Sequence, residues 1–136
     1  MKKKNFSNIA KNVIDLEIKA LQNLKKNLNK SFNEAVIQIS KCQSKIILCG
    51  VGKSGLIASK IAATFASVGT PAFSISASEA SHGDLGMISK KDILILISNS
   101  GETEELKNII QYAKRNKILL EELFQKKNLF YTKHQT

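Results

Sequence analysis

The chain opens with apolar side chains at helical spacing. Ile9, Val13, Leu16, Ile18, Leu21, Leu24 and Leu28 predict an amphipathic helix from about Asn8 to Asn29. A second helix is predicted from Ser31 to Lys41, with Ala35, Val36, Ile39 and Cys42 on its apolar side. Ser31 followed by Glu34 fits a capping box, in which the hydroxyl and the carboxylate satisfy early helix N–H groups reciprocally.

The period then changes. Lys45-Ile46-Ile47-Leu48-Cys49 is a short continuous apolar run ending at Gly50, the pattern of a strand covered on both faces. A helix is predicted from Ser54 to Ser67, with Leu56, Ile57, Ile61, Ala62, Phe65 and Ala66 as its inner face, stopped by Gly69-Thr70-Pro71. Ala72 to Ile75 reads as a second strand, Ser76 to Met87 as a loop, and Asp92 to Ile97 as a third buried strand. Glu102 to Lys114 reads as the next helix, and Lys117 to Leu120 begins a fourth strand. Strands alternating with helices predict an α/β domain: a doubly wound, mainly parallel sheet flanked by helices. In such sheets ligands bind beyond the carboxyl ends of the strands.

Composition changes this picture little. The net charge of +10 is nearly all lysine, with Arg115 the single arginine. Clustered basic residues attract nucleic acid or anionic substrates. Here the lysines are scattered, and neither Tyr112 nor Tyr131 interleaves with a basic stripe, so a solvated surface is preferred and no nucleic-acid partner is expected. Cys42 and Cys49 match no zinc spacing and read as reduced thiols of a cytoplasmic protein. Lys2-Lys3-Lys4 is followed by no apolar segment long enough for a signal peptide, and no membrane span is expected.

The candidate chemistry lies in two strand-to-helix loops. Gly50-Val51-Gly52-Lys53-Ser54-Gly55 allows a tight turn and close approach of a ligand to helix N–H groups. A P-loop would need a glycine where Ile47 stands. A dinucleotide site would need an acid at the end of the second strand, and Pro71 to Ser78 has none. A phosphosugar site remains, with Lys53 as a cation near the sugar, beside the bland reading of a ligand-free turn.

The second loop, Ser98-Asn99-Ser100-Gly101-Glu102-Thr103, offers three hydroxyls where one would suffice for an N-cap. A carboxylate such as Glu102 is favoured at a helix N-terminus in any case, but in a phosphate site it would repel the ligand unless it took part in the chemistry, for which general base is its natural role. Between the loops, His82 is either an acid–base group, a metal ligand or a hydrogen-bonded structural residue; the last is the commoner case. Asp84 reads as a turn or cap residue.

Gly50 to Gly55, Thr64 to Pro71, Glu79 to Met87 and Ile97 to Glu102 together resemble the D-arabinose 5-phosphate isomerases, a family of SIS-domain sugar-phosphate isomerases. The resemblance runs from about residue 8 to 120. It implies a parallel sheet flanked by helices, a homo-oligomer (tetramers in the family), and interconversion of ribulose 5-phosphate and arabinose 5-phosphate through an enediol, without a redox cofactor. It implies that Lys53 and Glu102 are catalytic. It implies that Gly52, Ser54, Ser98, Ser100 and Thr103 bind the sugar phosphate, with His82 nearby, and it assigns no metal.

It also implies a further glutamate and histidine in later blocks that these residues lack. On this reading residues 1–43 are the domain's leading helices, 44–120 a partial phosphosugar-binding core, and 121–136 a divergent tail. Glu121-Glu122-Leu123-Phe124-Gln125-Lys126-Lys127 then reads as charged helix or disordered tail left by truncation or frameshift, with an unpaired sheet edge after the fourth strand. The alternative from another class is a non-catalytic phosphosugar-sensing module. The absence of an N-terminal helix-turn-helix disfavours it.

Overall fold

The computed structural model describes the backbone of residues 5–80, 83–100, 104–124 and 129–133, and side chains through residue 123. The elements run α1 (Phe6–Asn27), α2 (Lys30–Ser40), β1 (Ile46–Gly50), α3 (Lys53–Ser67), β2 (Ala72–Ser76), α4 (Ala77–Ala80), a 3-10 turn (Asp84–Met87), β3 (Ile93–Ser98), α5 (Glu104–Asn116), β4 (Leu119–Phe124) and β5 (Leu129–Lys133). The sheet order is β2-β1-β3-β4-β5. The first four strands are parallel, and β5 pairs antiparallel with β4. The expected doubly wound α/β architecture is present.

The apolar runs form strands because both faces of the sheet are covered. Alternate residues of β1 and β3 point to opposite sides. Ile47, Cys49, Leu94 and Leu96 join Leu106, Ile109 and Ala113 of α5 in one core. Ile46, Leu48, Ile93 and Ile95 join Ala58 and Ala62 of α3 in the other. Cys49 behaves as a small hydrophobe: burial pushes its thiol up to about 12.

Several expectations require correction. The inner face of α3 is Ala58 and Ala62, with Ile61 and Phe65 partly buried, whereas Leu56 and Ile57 are 72% and 54% exposed. This helix is apolar on nearly every side, so periodicity could not select its face. The capping residue of α2 is Asn29, whose Oδ1 accepts hydrogen bonds from the amides of Ser31 and Phe32 at 3.0 and 3.4 Å. Ser31 therefore lies inside the first turn, and the capping box is not used. Helix α1 forms, yet none of its residues is buried. The segment read as a loop contains α4 and the 3-10 turn.

The largest correction concerns residues after Leu120. β4 continues to Phe124, and β5 pairs beside it, so among the described residues 121–124 and 129–133 are strand and not charged helix or structureless tail. The edge expected after the fourth strand is paired. Glu121 and Glu122 lie within β4 at 4% and 7% exposure, and both interact within the structure. Two adjacent carboxylates read as exposed in sequence, which is why the strand's extension was missed.

The amino-terminal end of the sheet is closed by a polar clasp. Asp92 is fully buried and accepts hydrogen bonds from Lys45 Nζ (2.8 Å), Ser44 Oγ (2.6 Å) and the Ser89 amide (2.7 Å). Burial alone would raise this carboxyl; the Lys45 ammonium and the other donors outweigh it and hold the group at about 2. The folded value lies below the ordinary 3.8, so the clasp stabilises the fold above about pH 4 and loses that contribution as pH falls toward 2. Asp92→Asn should cost about 2–4 kcal/mol at pH 7 in urea unfolding, with the deficit shrinking between pH 4 and 2. A pH-independent deficit would contradict the charge assignment. The buried Cys49 and half-buried Cys42 should also differ in reactivity. With a chromogenic disulfide reagent at pH 8, Cys42 should label in the native state and Cys49 only on unfolding.

Candidate functional site

β1 is the point where the winding of the sheet reverses. The chain leaves β1 through α3 to reach β2 on one side, then returns to β3 on the other. The loops after β1 and β3 therefore diverge to opposite faces and leave a crevice between two adjacent carboxyl ends, the usual ligand position in such sheets. Gly50 is in register with Ile97, one residue before Ser98. Both glycine-rich loops thus start at the same level on neighbouring strands.

The first loop depends on missing side chains. A Cβ at Gly50 would lie 2.7 Å from the Ser54 carbonyl carbon and 2.9 Å from the Gly55 nitrogen; one at Gly55 would lie 3.1 Å from the Gly50 oxygen. The strand end and the first turn of α3 are therefore in backbone contact. Gly52 has φ +55°, a conformation that favours glycine, and serves as the N-cap of α3. Having no side chain, it leaves the positive end of the helix uncapped. No acid stands in the first turn, and Lys53 occupies its start, exposed. A cation there opposes the helix dipole, so it is not a stabilising device. Together with the dipole it attracts an anion. Ser54 is half-buried, and its amide donates to the Val51 oxygen at 3.1 Å.

Ser98 is the last residue of β3 and is buried; Ser100 is half-buried; both interact within the structure. The structure therefore brings Gly52, Lys53 and Ser54 to one rim of the crevice and Ser98 and Ser100 to the other. Glu102 and Thr103 lie outside the described residues, as does His82. Asp84 opens the 3-10 turn, and Gly83, with φ +126°, precedes it as the N-cap. Among the described residues no group of three or more His, Cys, Asp or Glu could hold a metal ion. Among them, too, no helix is long and apolar enough to cross a membrane.

Sequence reasoning passed over Ser76. It ends β2 in register with Gly50, and its hydroxyl is 2.7 Å from that of Ser78. This puts more hydroxyls at a third carboxyl end of the same sheet. The alternating Ser74-Ile75-Ser76-Ala77-Ser78 was the available signal, but without the strand register it reads as ordinary loop composition.

Comparison with known proteins fits this geometry. Residues 38–120 match the family model described as "SIS domain". The chain is 50% identical over 115 residues to arabinose 5-phosphate isomerase KdsD of Yersinia pestis, covering 85% of this chain and 35% of that protein. The corresponding Escherichia coli protein is 44% identical over 110 residues, covering 81% and 34%. The chain thus spans about a third of the length of these curated relatives. Among solved structures, an Escherichia coli CFT073 protein in complex with arabinose 5-phosphate superposes with a TM-score of 0.84 at 40% identity, covering 91% of this chain and 66% of that one. A sheet reversing at β1, two glycine-rich loops at its carboxyl end and a family match over residues 38–120 lead to one conclusion: the chain belongs to the SIS-domain family.

Proposed function

We propose that this chain is the phosphosugar-binding part of an aldose–ketose isomerase that interconverts ribulose 5-phosphate and arabinose 5-phosphate. The observation that carries the proposal is the register of β1 and β3, which sets an uncapped helix start beginning at Lys53 and the hydroxyl residues Ser98 and Ser100 at adjacent carboxyl ends of the sheet. The sequence identity to isomerases named for that sugar supports the choice of substrate.

In this reading the phosphate sits among Gly52, Ser54, Ser98, Ser100 and Thr103, because N–H and O–H donors match its acceptor oxygens. Lys53 polarises the carbonyl or an adjacent hydroxyl. Glu102 takes the proton from the carbon next to the carbonyl, giving an enediol, and the proton returns to the neighbouring carbon. The carbon skeleton and its oxidation level are conserved overall, so no external oxidant or reductant is consumed. His82 lies near the sugar. The protein works in the cytoplasm as a homo-oligomer. The exposed apolar stripe of α1, including Ile9, Val13, Leu16 and Leu24, is a surface that a second subunit would cover.

The test incubates the purified chain with ribulose 5-phosphate and measures arabinose 5-phosphate. Turnover should fall at least about a hundredfold in Glu102→Gln, and Lys53→Met should lower it as well. Turnover unaffected by Glu102→Gln would remove the base assignment. Absence of turnover with retained sugar-phosphate binding would favour a non-catalytic phosphosugar-binding module.

A further inference from the structure

The opposite end of the sheet carries a second concentration of positive charge. A cleft of about 280 Å³ lies where β3 and β4 begin, lined by Ile88, Lys90, Arg115, Asn116 and Lys117. β3 is six residues long, which places this cleft about 20 Å from the glycine-rich loops. None of its lining residues is acidic. Asp92, the nearest carboxylate in the sequence, is already held by Lys45, Ser44 and Ser89.

Cations at the end of a helix are often explained by its dipole. That accounts for only part of the cluster, because Lys90 lies outside α5 and the carbonyls of Ala113 and Lys114 are already satisfied by backbone. The Ile118 amide donates to the Ala113 oxygen at 2.9 Å, and the Lys117 amide donates to the Lys114 oxygen at 3.2 Å. This is a Schellman motif, and its left-handed position is normally glycine. α3 ends the same way, with Thr70 donating to Phe65, Gly69 donating to Ala66, and glycine at the left-handed position. In α5 that position is Lys117, with φ +55°, the one non-glycine residue with positive φ among the described residues. The fold thus carries a backbone cost at α5 that it avoids at α3. What the lysine adds is a third cation beside Lys90 and Arg115.

We propose that this cleft is an anion site for a diphosphate group, separate from the sugar-phosphate crevice. Three cations around a small cleft fit a compact ligand with several negative oxygens better than a single phosphate. Ile88 and Asn116 form the uncharged part of the wall.

The test titrates the full chain with inorganic pyrophosphate and, separately, with a nucleoside diphosphate, following amide resonances. Shifts should centre on residues 88–91 and 114–118. Lys117→Gly removes the cation and relieves the backbone, so it should fold at least as well while weakening binding about fivefold to tenfold; Arg115→Gln should do the same. Lys60→Gln, on the exposed side of α3, removes equal charge elsewhere and should leave affinity within about twofold. Tighter binding of the nucleoside diphosphate would identify a nucleotide as the source, and equal binding a free diphosphate. Shifts confined to residues 50–56 and 98–105 would overturn the proposal. So would equal weakening in Lys60→Gln, or no weakening in either cleft variant.

Discussion

The backbone contact between Gly50 and the Ser54–Gly55 turn is the constraint on which the rest of the structure depends. No side chain can stand there without displacing backbone atoms. The contact starts α3 directly at the end of β1 and holds it close to the sheet, where only Ala58 and Ala62 are fully buried. The larger Leu56 and Ile57 are turned outward as a result. Gly52, two residues on, has no side chain and leaves the helix start uncapped at the edge of the crevice. Packing and anion attraction therefore rest on neighbouring glycines of one loop, Gly50 for the first and Gly52 for the second.

The two ends of the sheet solve different electrostatic problems. At the amino-terminal end, the buried Asp92 is compensated by Lys45 and two further donors, which makes it a structural group. At the carboxyl end, Lys53 sits exposed against an unfavourable dipole with no acid in its turn. Compensated charge holds the fold together, and uncompensated charge is available to a ligand. The cleft lined by Lys90, Arg115 and Lys117 falls in the second class, although it lies near the clasp.

Much of this was legible in the sequence. β1 and β3 read correctly because a strand covered on both faces needs an unbroken apolar run, and Ile46–Cys49 and Ile93–Ile97 supply it. Both loops were visible because glycine and hydroxyl residues cluster where such strands end. The face of α3 was not legible, because its selection depends on the Gly50 contact and not on polarity. β4 was cut short because Glu121 and Glu122 are buried against expectation, and burial of carboxylates depends on partners that only the folded chain supplies. β5 was missed with it, since a hairpin partner is invisible once the first strand is not recognised. The strain at Lys117 had no sequence signal, because lysine at the end of a helix is ordinary until its φ is known.

The central claim is that the loops after β1 and β3 form one anion-binding crevice. Hydrogen exchange with and without saturating arabinose 5-phosphate tests it directly. The account predicts simultaneous protection of peptides covering residues 50–56 and 97–104, with one shared dependence on ligand concentration. Protection of only one loop, or two different concentration dependences, would contradict it.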